Sequence, residues 1–318
     1  MVKNTKVSIL RSQHALLGFV IIFIALVISL INSRFIAVTN LLSIFQQISV
    51  LGILTMTMSI LLISGGIDLS IGNSMVLSGM VMGILVNEGV SVSLAACVGV
   101  FIGGLCGLVN GLIVSYSRCI PLIITLGTGQ IFHGITLTLS GGRIISFKGT
   151  LDYIGKTRIF GVFPIMLFAL IIVIAVTWFM MNYTKYGRRI VAIGANEQNA
   201  YLSGIKVLPY KISLYTIGGL FCGVAAIIFS ARLDSITSSA VNAGYETRTL
   251  SAAIIGGVTF TGGKGTISGA FLGCLLMGVI NNAMNILKVP SYIQTIISGA
   301  IIVTAVVVSN INNIKRKA

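Results

Sequence analysis

Long apolar runs recur along almost the whole chain, and they constrain its fold more than any other feature. An α-helix needs about 20 apolar residues to cross the roughly 30 Å hydrocarbon layer of a bilayer. The runs cover 15–31, 42–63, 70–87, 92–115, 121–140, 162–181, 212–230, 249–260, 266–286 and 292–310. The eighth run is too short to cross unless it continues into the glycine-rich turn that follows. The sequence therefore predicts an all-α integral membrane protein with about ten transmembrane helices.

The composition indicates a single membrane domain that extends over residues 1–318. The chain is 56% hydrophobic and only 8% charged, and its mean hydropathy is +1.04. No soluble domain of this length could bury so much apolar surface with so few charges. The net charge of +15 comes from Lys and Arg residues at the ends of apolar runs, so it predicts topology signals and contacts with membrane lipid. Nucleic acid is not an expected partner.

The distribution of basic residues favours a cytoplasmic location for both termini. Cytoplasmic loops of membrane proteins are enriched in Lys and Arg. With the N-terminus inside, ten crossings also place the basic segment 182–211 and the closing Lys315-Arg316-Lys317 inside. We therefore expect a multi-pass protein of the cell (inner) membrane, with the mixed-charge segments 141–161 and 231–248 outside.

Two glycine-rich stretches, Ile63 to Gly72 and Ile254 to Gly263, share one frame in different halves of the chain. Aligned without a gap, both have Gly-Gly, Ile or Val, any residue, Leu or Phe, Ser or Thr, any residue, Gly. They indicate a weak internal repeat around 61–85 and 252–280. Broken apolar segments in corresponding places of two halves are typical of a transport pathway near the bilayer midplane.

Polar side chains within the spans are candidates to line such a pathway. They are Ser64, Asp68, Asn73, Asn110, Thr125, His133, Asn281 and Asn282. Neutral amides and hydroxyls could satisfy the hydroxyl groups of an uncharged polar solute, although some will only join helices. Asp68 is the acid in this set, and its plainer role is to cap the third span by accepting from the N–H of Ser70 or Ile71. His133 is more often a hydrogen bonder between helices than a catalyst.

The fourth span carries glycines at every fourth position, which are Gly99, Gly103, Gly107 and Gly111. Residues four apart lie on one face of a helix, so these glycines form a stripe without side chains. Such a stripe lets the backbone of a neighbouring helix approach closely in lipid. We expect it to be a helix-packing surface.

The segment 182–211 contains the signals of a short helix. Asn196 can accept from an orphan N–H two or three residues later, and Glu197 suits the positive start of a helix. Gly204 supplies a left-handed stop. These signals predict a helix from Glu197 to Ser203. A free peptide of that length would not be helical, so we suspect that this segment docks to a partner.

No catalytic, metal-binding or nucleotide-binding constellation is evident in the sequence. His14 and His133 lie far apart, and neither has Cys, Asp or Glu at ligand spacing. The run 257–266 lacks a glycine at Val258 and a Ser or Thr after Lys264, so it is not a phosphate loop. We expect no enzymatic activity, no cofactor and no metal.

Four segments resemble the membrane permease subunits of bacterial ABC sugar importers of the ribose, galactose, xylose and arabinose type, most of all the ribose type. They are Gly65 to Gly72, Gly107 to Gly111, Gly187 to Ile205, and Gly256 to Thr266 leading to Asn281-Asn282. Together they extend over nearly the whole chain in the family's order. One departure is Asn199, where the family usually has a small apolar residue.

The resemblance implies a fold, partners and coupling residues. The implied fold is the ten-helix importer fold of the vitamin B12 permease type, with two permease copies, as a homodimer or heterodimer, forming one pathway. A cytosolic ATP-binding cassette subunit would hydrolyse ATP, and an extracytoplasmic sugar-binding protein would deliver the solute. The ATPase would dock on the coupling loop 182–211. The coupling residues would be Arg188, Asn196, Glu197, Ser203 and Gly204.

The residues alone leave two other classes open. An ion-coupled secondary transporter of a small polar solute would need buried acids, and Asp68 is its candidate. A membrane-embedded enzyme would need a cluster of reactive groups, which the sequence does not display.

Overall fold

The computed structural model describes residues 5–159, 161 and 163–315. Thirteen α-helices occupy most of this part of the chain. They are α1 (Thr5–Ile31), α2 (Val38–Ile63), α3 (Ile71–Asn87), α4 (Val92–Ser117), α5 (Pro121–Ser140), α6 (Asp152–Lys156), α7 (Ile165–Tyr183), α8 (Lys185–Ala195), α9 (Glu197–Leu202), α10 (Val207–Leu233), α11 (Tyr245–Ile255), α12 (Ile267–Ile286) and α13 (Ser291–Lys315). The prediction of an all-α membrane protein is confirmed. Arg316 and Lys317, which we expect inside, lie outside the described residues.

Two short strand pairs were not predicted. β1 (Ile145–Ser146) pairs antiparallel with β4 (Ser235–Ile236), with Ile145 opposite Ile236. β2 (Arg158–Ile159) pairs antiparallel with β3 (Phe163–Pro164). The first pair joins the two mixed-charge segments that we expect outside the membrane.

Seven of the described helices are long and apolar enough to cross a membrane, namely α1, α2, α4, α5, α7, α10 and α12. α3 and the part of α13 up to Thr304 are shorter apolar helices. α11 has only 11 residues and ends at Ile255, so the eighth run does not extend as a helix into the glycine-rich turn. Ten crossings therefore stay a prediction.

α2 lies at the centre of the bundle and is buried along most of its length. It packs against α7, α10, α11 and α12. Its hydroxyl groups are satisfied within the helix, because Thr55 and Ser59 donate to carbonyls one turn earlier at 2.7 and 2.6 Å. A helix that is apolar on all sides, with its few polar groups bonded internally, is suited to this position.

α4 and α10 pack with glycines facing each other. A Cβ added at Gly103 would collide with the Gly219 carbonyl oxygen and lie 2.8 Å from the Gly223 nitrogen. A Cβ at Gly107 would collide with the Tyr215 carbonyl oxygen. Close backbone approach along such small-residue faces is how helices associate in lipid, where hydrophobic burial gives no net drive.

The bundle has two distinguishable ends. At one end, which we call the coupling end, the turn after α2 and the turn 256–266 meet α8. At the other end, which we call the hairpin end, β1 pairs with β4, and Asn87 at the end of α3 donates to the Ser146 carbonyl at 2.9 Å.

The glycine-rich turns lie at the coupling end, and their position near the bilayer midplane stays a prediction. α2 has 26 residues, which at 1.5 Å per residue is about 39 Å, more than the hydrocarbon thickness. The turn Ser64 to Gly66 follows the end of this long helix. The second turn is at the same end, because the Gly263 N–H donates to the Ile63 carbonyl at 2.9 Å.

The segment 234–244 before α11 contains no α-helix. α11 is about 17 Å long, little more than half of the hydrocarbon thickness. It runs antiparallel to α12, since Gly256 contacts Gly269 and Ala252 contacts Gly273. Its first residue, Tyr245, therefore reaches only the level of the second half of α12. Non-helical backbone at membrane depth is tolerated where it is buried in protein or lines a cavity.

Candidate functional site

The carboxylate of Asp68 is the centre of a buried polar cluster between α2 and α3. Asp68 is 5% exposed, and its Oδ1 accepts from the Ser70 N–H at 2.8 Å and the Ser70 hydroxyl at 2.7 Å. From α4, the Asn110 amide donates to Asp68 Oδ2 at 3.2 Å and to the Ser70 hydroxyl at 2.7 Å. The expected bond from Ser70 N–H is present, but Ser70 and not Asp68 is the N-cap residue of α3. Asp68 acts as the acceptor of a turn just before the helix.

Two further predicted residues join this cluster from α5 and α3. The Leu69 N–H donates to the Thr125 hydroxyl at 3.0 Å, and that hydroxyl donates to the Pro121 carbonyl at 2.9 Å. Asn73 faces Gly129, where an added Cβ would lie 2.7 Å from the Asn73 amide nitrogen. α3, α4 and α5 thus share one hydrogen-bonded region. Sequence reasoning missed Tyr215, whose hydroxyl donates to the Ile67 carbonyl at 2.8 Å.

The remaining predicted pathway residues lie elsewhere. Ser64 caps α2, and its hydroxyl donates to the Leu61 carbonyl at 2.6 Å. Asn282 exchanges amide hydrogen bonds with Asn40 at 2.8 and 3.0 Å, so it joins α12 to α2. His133 is half-buried on α5. Asn281 faces a separate cavity between α2, α10, α11 and α12. The set predicted from sequence is therefore not one constellation.

The segment predicted to dock to a partner forms two short helices, of which only the second was predicted. The Asn196 side chain accepts from the Asn199 N–H at 2.8 Å and caps α9, and Gly204 follows with φ of +81°. Ser203 caps the C-terminal end. α8 is amphipathic, and it buries Gly187, Ile190 and Ile193. Residues 207–211, which the sequence pattern assigns to this loop, belong to the first turns of α10.

Glu197 pairs with Lys211, a partner that sequence reasoning missed. Lys211 Nζ lies 2.5 Å from Glu197 Oε2. Arg188 is exposed on α8. Beside this pair, burial raises the pKa of the Tyr186 phenol, which shares a 2.6 Å hydrogen bond with the Ser213 hydroxyl. These contacts tie α8 and α9 to the start of α10.

Three backbone segments meet where α8 ends, and we call this contact the glycine joint. A Cβ added at Gly194 would collide with the Ile63 carbonyl and lie 2.7 Å from the Gly263 nitrogen. A Cβ added at Gly262 would lie 2.9 Å from the Gly65 Cα. α8 therefore touches both glycine-rich turns at once through backbone atoms.

The two turns have the same hydrogen bonds but not the register of the sequence alignment. The Gly65 and Gly66 N–H groups donate to Leu62 and Leu61, closing a left-handed helix cap. The corresponding donors in the second turn are the N–H groups of Gly257 and Val258. The backbone is left-handed at both turns, with φ of +79° at Gly65 and +89° at Gly257. By hydrogen bonding and φ, Gly65 corresponds to Gly257, whereas the ungapped alignment pairs Gly65 with Gly256.

Within the described residues, no group of three or more His, Cys, Asp or Glu side chains is arranged to hold a metal ion. What the chain does contain is a bundle of apolar helices, buried neutral polar groups, and an amphipathic pair of helices docked on two glycine turns. This is the architecture of the membrane-spanning subunit of a transporter.

Comparison with known proteins defines the family. Residues 40–306 match the family described as "Branched-chain amino acid transport system / permease component", and the chain belongs to this family. The ribose import permease protein RbsC of Bacillus subtilis is 32% identical over 94% of this chain and 92% of its own length. The D-allose transport system permease protein AlsC of Escherichia coli is 37% identical over 90% of this chain and 87% of its own. RbsC of Escherichia coli is 34% identical over 95% and 94%. None of the solved structures gives a significant match.

These relatives confirm the resemblance found in the sequence. The chain is a transport permease, and the apolar helices agree with a multi-pass membrane protein. The match extends over nearly the full length of the chain and of its relatives, so the similarity is not limited to a shared motif.

Proposed function

We propose that this chain is the membrane-spanning permease of an ABC importer and forms the pathway for uptake of a monosaccharide, ribose or a related sugar. ATP hydrolysis takes place on a partner subunit, and the chain itself is not an enzyme. The names of the ribose and allose permeases support the solute class. The observation that carries the proposal is the glycine joint. It links α8 and α9 to the two glycine-rich turns, which follow α2 and α11.

The proposal includes an arrangement of partners. A cytosolic ATP-binding cassette subunit docks on the coupling loop 182–211, at Arg188, Asn196, Glu197, Ser203 and Gly204. A sugar-binding protein approaches the hairpin end, and a second permease copy completes the pathway in a fold of the vitamin B12 permease type. Both termini are then cytoplasmic, in the cell (inner) membrane. The excess of basic residues, with a net charge of +15, suits contact with lipid headgroups.

The mechanism that follows is alternating access driven through the glycine joint. ATP binding on the partner displaces α9, and α9 moves α8 because the two helices are joined at Asn196. Gly194 then pushes on both turns, which sit at the ends of α2 and α11. The helices that follow, α3 and α12, tilt as units, since their first turns are hydrogen-bonded to the turn segments. The Asp68 cluster moves with α3, and Ser64, Asn73, Asn110, Thr125, His133, Asn281 and Asn282 are the polar residues that we propose along the route.

Reconstitution tests this function directly. The chain is placed in proteoliposomes with its ATPase subunit, and a binding protein and a panel of radiolabelled monosaccharides are added. We expect accumulation of a sugar that requires ATP, the binding protein and the ATPase. Accumulation by the purified chain alone would show that the energy source lies within it and would overturn the proposal.

The second candidate function is an ion-coupled secondary transporter. The observation that favours it is the buried carboxylate of Asp68, which has no cationic partner among the described residues. Replacement of Asp68 by Asn separates the two functions. An ABC permease carrying Asp68→Asn should still stimulate its ATPase partner, because Asn keeps an acceptor oxygen for the Ser70 N–H. Loss of a proton or sodium dependence of uptake in this variant would favour the carrier.

A further inference from the structure

A polar cavity of about 270 Å³ lies between five helices on the side of the bundle away from the coupling end. Gln47 lines it from α2, Arg232 from α10, Tyr245 and Arg248 from α11, and Asn281 from α12. Near its mouth, the Gln294 amide of α13 donates to the Asn285 side chain at 3.1 Å. The cavity is separate from the Asp68 cluster.

Five of the polar side chains that line this cavity have no protein partner in the described part of the chain, whereas Asn285 and Gln294 bond to each other. Among the described residues, the side chains of Gln47, Arg232, Tyr245, Arg248 and Asn281 form no hydrogen bond or ion pair. Asn281 is only 8% exposed, so its amide is buried and still faces the cavity without a protein acceptor. Buried polar groups are nearly always hydrogen-bonded. Asn281 is therefore open to a partner other than the protein, and the half-buried side chains of Gln47, Arg232, Tyr245 and Arg248 lie around the same cavity.

The local backbone explains why these residues converge. α11 starts level with the second half of α12, and the start of a helix presents free N–H groups and a positive dipole end. Tyr245 and Arg248 belong to the first turn of this half-length helix. Half-helices whose N-termini point at a solute are a recurrent way to build a transport site in a membrane.

The lining determines the chemistry of the ligand. Two guanidinium groups and four side-chain amides supply more donors than acceptors, and no carboxylate lines the cavity. The ligand must therefore be rich in acceptor oxygens. A volume of about 270 Å³ is near the lower end of ligand-pocket volumes, about 300–1,000 Å³, and suits a small solute such as one monosaccharide.

We infer that this cavity binds the transported monosaccharide at an outer stage of the pathway, with Arg232, Arg248 and Asn281 donating to its hydroxyl and ring oxygens. The inference rests on the proposed function and adds to it a site within a single permease chain. Arg232 and Arg248 are specificity-determining residues in this assignment, because each guanidinium group supplies five donors in a fixed plane for oxygen acceptors of the sugar.

The test uses the complete reconstituted complex and two variants on different helices. Asn281→Leu keeps the side-chain size and removes the amide, and Arg248→Gln removes the charge and most donors. We expect either variant to lower the initial rate of sugar uptake about tenfold or more, the usual effect of losing a buried hydrogen bond to a polar or charged group. Arg34→Gln, an exposed residue outside the cavity, should leave uptake unchanged. Arg248→Lys should recover part of the lost rate.

Further measurements separate this inference from its alternatives. Stimulation of the ATPase by sugar-loaded binding protein should stay within about twofold of wild type, which also shows that the variants fold and assemble. Uptake equal to that of Arg34→Gln in both variants would overturn the inference. A loss of uptake matched by an equal loss of affinity for the binding protein would also overturn it, because the residues would then be docking contacts. A wild-type complex that accumulates no monosaccharide would overturn the proposed function itself.

A thiol probe gives a result even if the other variants fail to assemble. Asn281→Cys, in a background with exposed Cys97 and Cys119 replaced by Ser, should react with a small polar maleimide. Transported sugar present during turnover should slow the labelling. An unreactive thiol in the Asn281→Cys variant, or a labelling rate that sugar does not change, would contradict a solute cavity at this position.

Discussion

Asp68 shows how one carboxylate is stabilised inside an apolar bundle without a cation. A buried charge is strongly unfavourable unless its lone pairs are used. Here three donors from Ser70 and Asn110 surround the carboxylate at 2.7 to 3.2 Å. The same bonds fix the segment between α2 and α3 to α4. At the scale of the residue, Asp68 is therefore a positioning group for a turn, whether or not a solute passes near it.

Removal of the Asn110 amide tests this role. Asn110→Leu leaves Asp68 Oδ2 and the Ser70 hydroxyl each without one donor, so we expect a loss of about 1–3 kcal/mol in stability. A lower midpoint of thermal unfolding in detergent would report it. Asn182→Leu is the matched control, because Asn182 is exposed on α7 and bonds only its own helix. Equal midpoints for the two variants would contradict a structural role for the Asn110 bonds.

At the scale of elements, the α4 and α10 pair depends on the absence of side chains. Gly103 and Gly107 of α4 contact Gly219 and Gly223 of α10 through backbone atoms. Because the clashing atoms belong to the backbone, no rotamer change can relieve them. A side chain added at one of these glycines must therefore push α4 and α10 apart or disrupt their packing. The sequence spacing of these glycines and the geometry of the pair agree.

Gly107→Ala is expected to destabilise the bundle strongly. Its Cβ would collide with the Tyr215 carbonyl oxygen, and overpacking of this kind typically reduces stability by about 1–3 kcal/mol. We expect less folded protein by size-exclusion chromatography of detergent extracts. Gly134→Ala on α5 has open space around the new methyl group and should be neutral or stabilising. Similar yields for the two variants would show that the stripe does not control packing.

The pair of Glu197 and Lys211 is expected to matter for coupling more than for stability. Glu197 is more than half exposed, with 57% of its side chain accessible, so the ion pair adds little to folding. It fixes α9 to α10. Glu197→Lys should lower sugar uptake per ATP hydrolysed, and the double variant Glu197→Lys with Lys211→Glu should restore part of it. No recovery in the double variant would indicate that Glu197 acts through another group.

At the scale of the whole molecule, the glycine joint connects distant parts of the chain. Gly194, Gly65 and Gly263 are far apart in sequence and in contact in space. Force applied to α8 reaches the ends of α2 and α11 together. The fold therefore connects α8 to the turn between α2 and α3 and to the turn between α11 and α12.

Gly194→Ala should disturb this link. Its methyl group would collide with the Ile63 carbonyl and displace α8 from both turns. We expect ATP hydrolysis by the assembled complex to continue while uptake per ATP falls severalfold. Gly127→Ala, which has open surroundings on α5, is the control. Uptake and hydrolysis that decline in parallel would point to simple unfolding of the complex.

Local patterns in the sequence were sufficient for the long apolar helices, for the cap at Asn196 and for the glycine stripe of α4, but not for the short helices α6 and α8. Each depends on residues within a few turns of one another, so spacing and residue type carry the information. The tertiary structure decided the rest. It placed the glycine turns at the coupling end, gave Glu197 the partner Lys211, and gathered Arg232, Arg248 and Asn281 around one cavity. These outcomes depend on the lengths of α2 and α11 and on contacts between segments far apart in the chain, which no local pattern specifies.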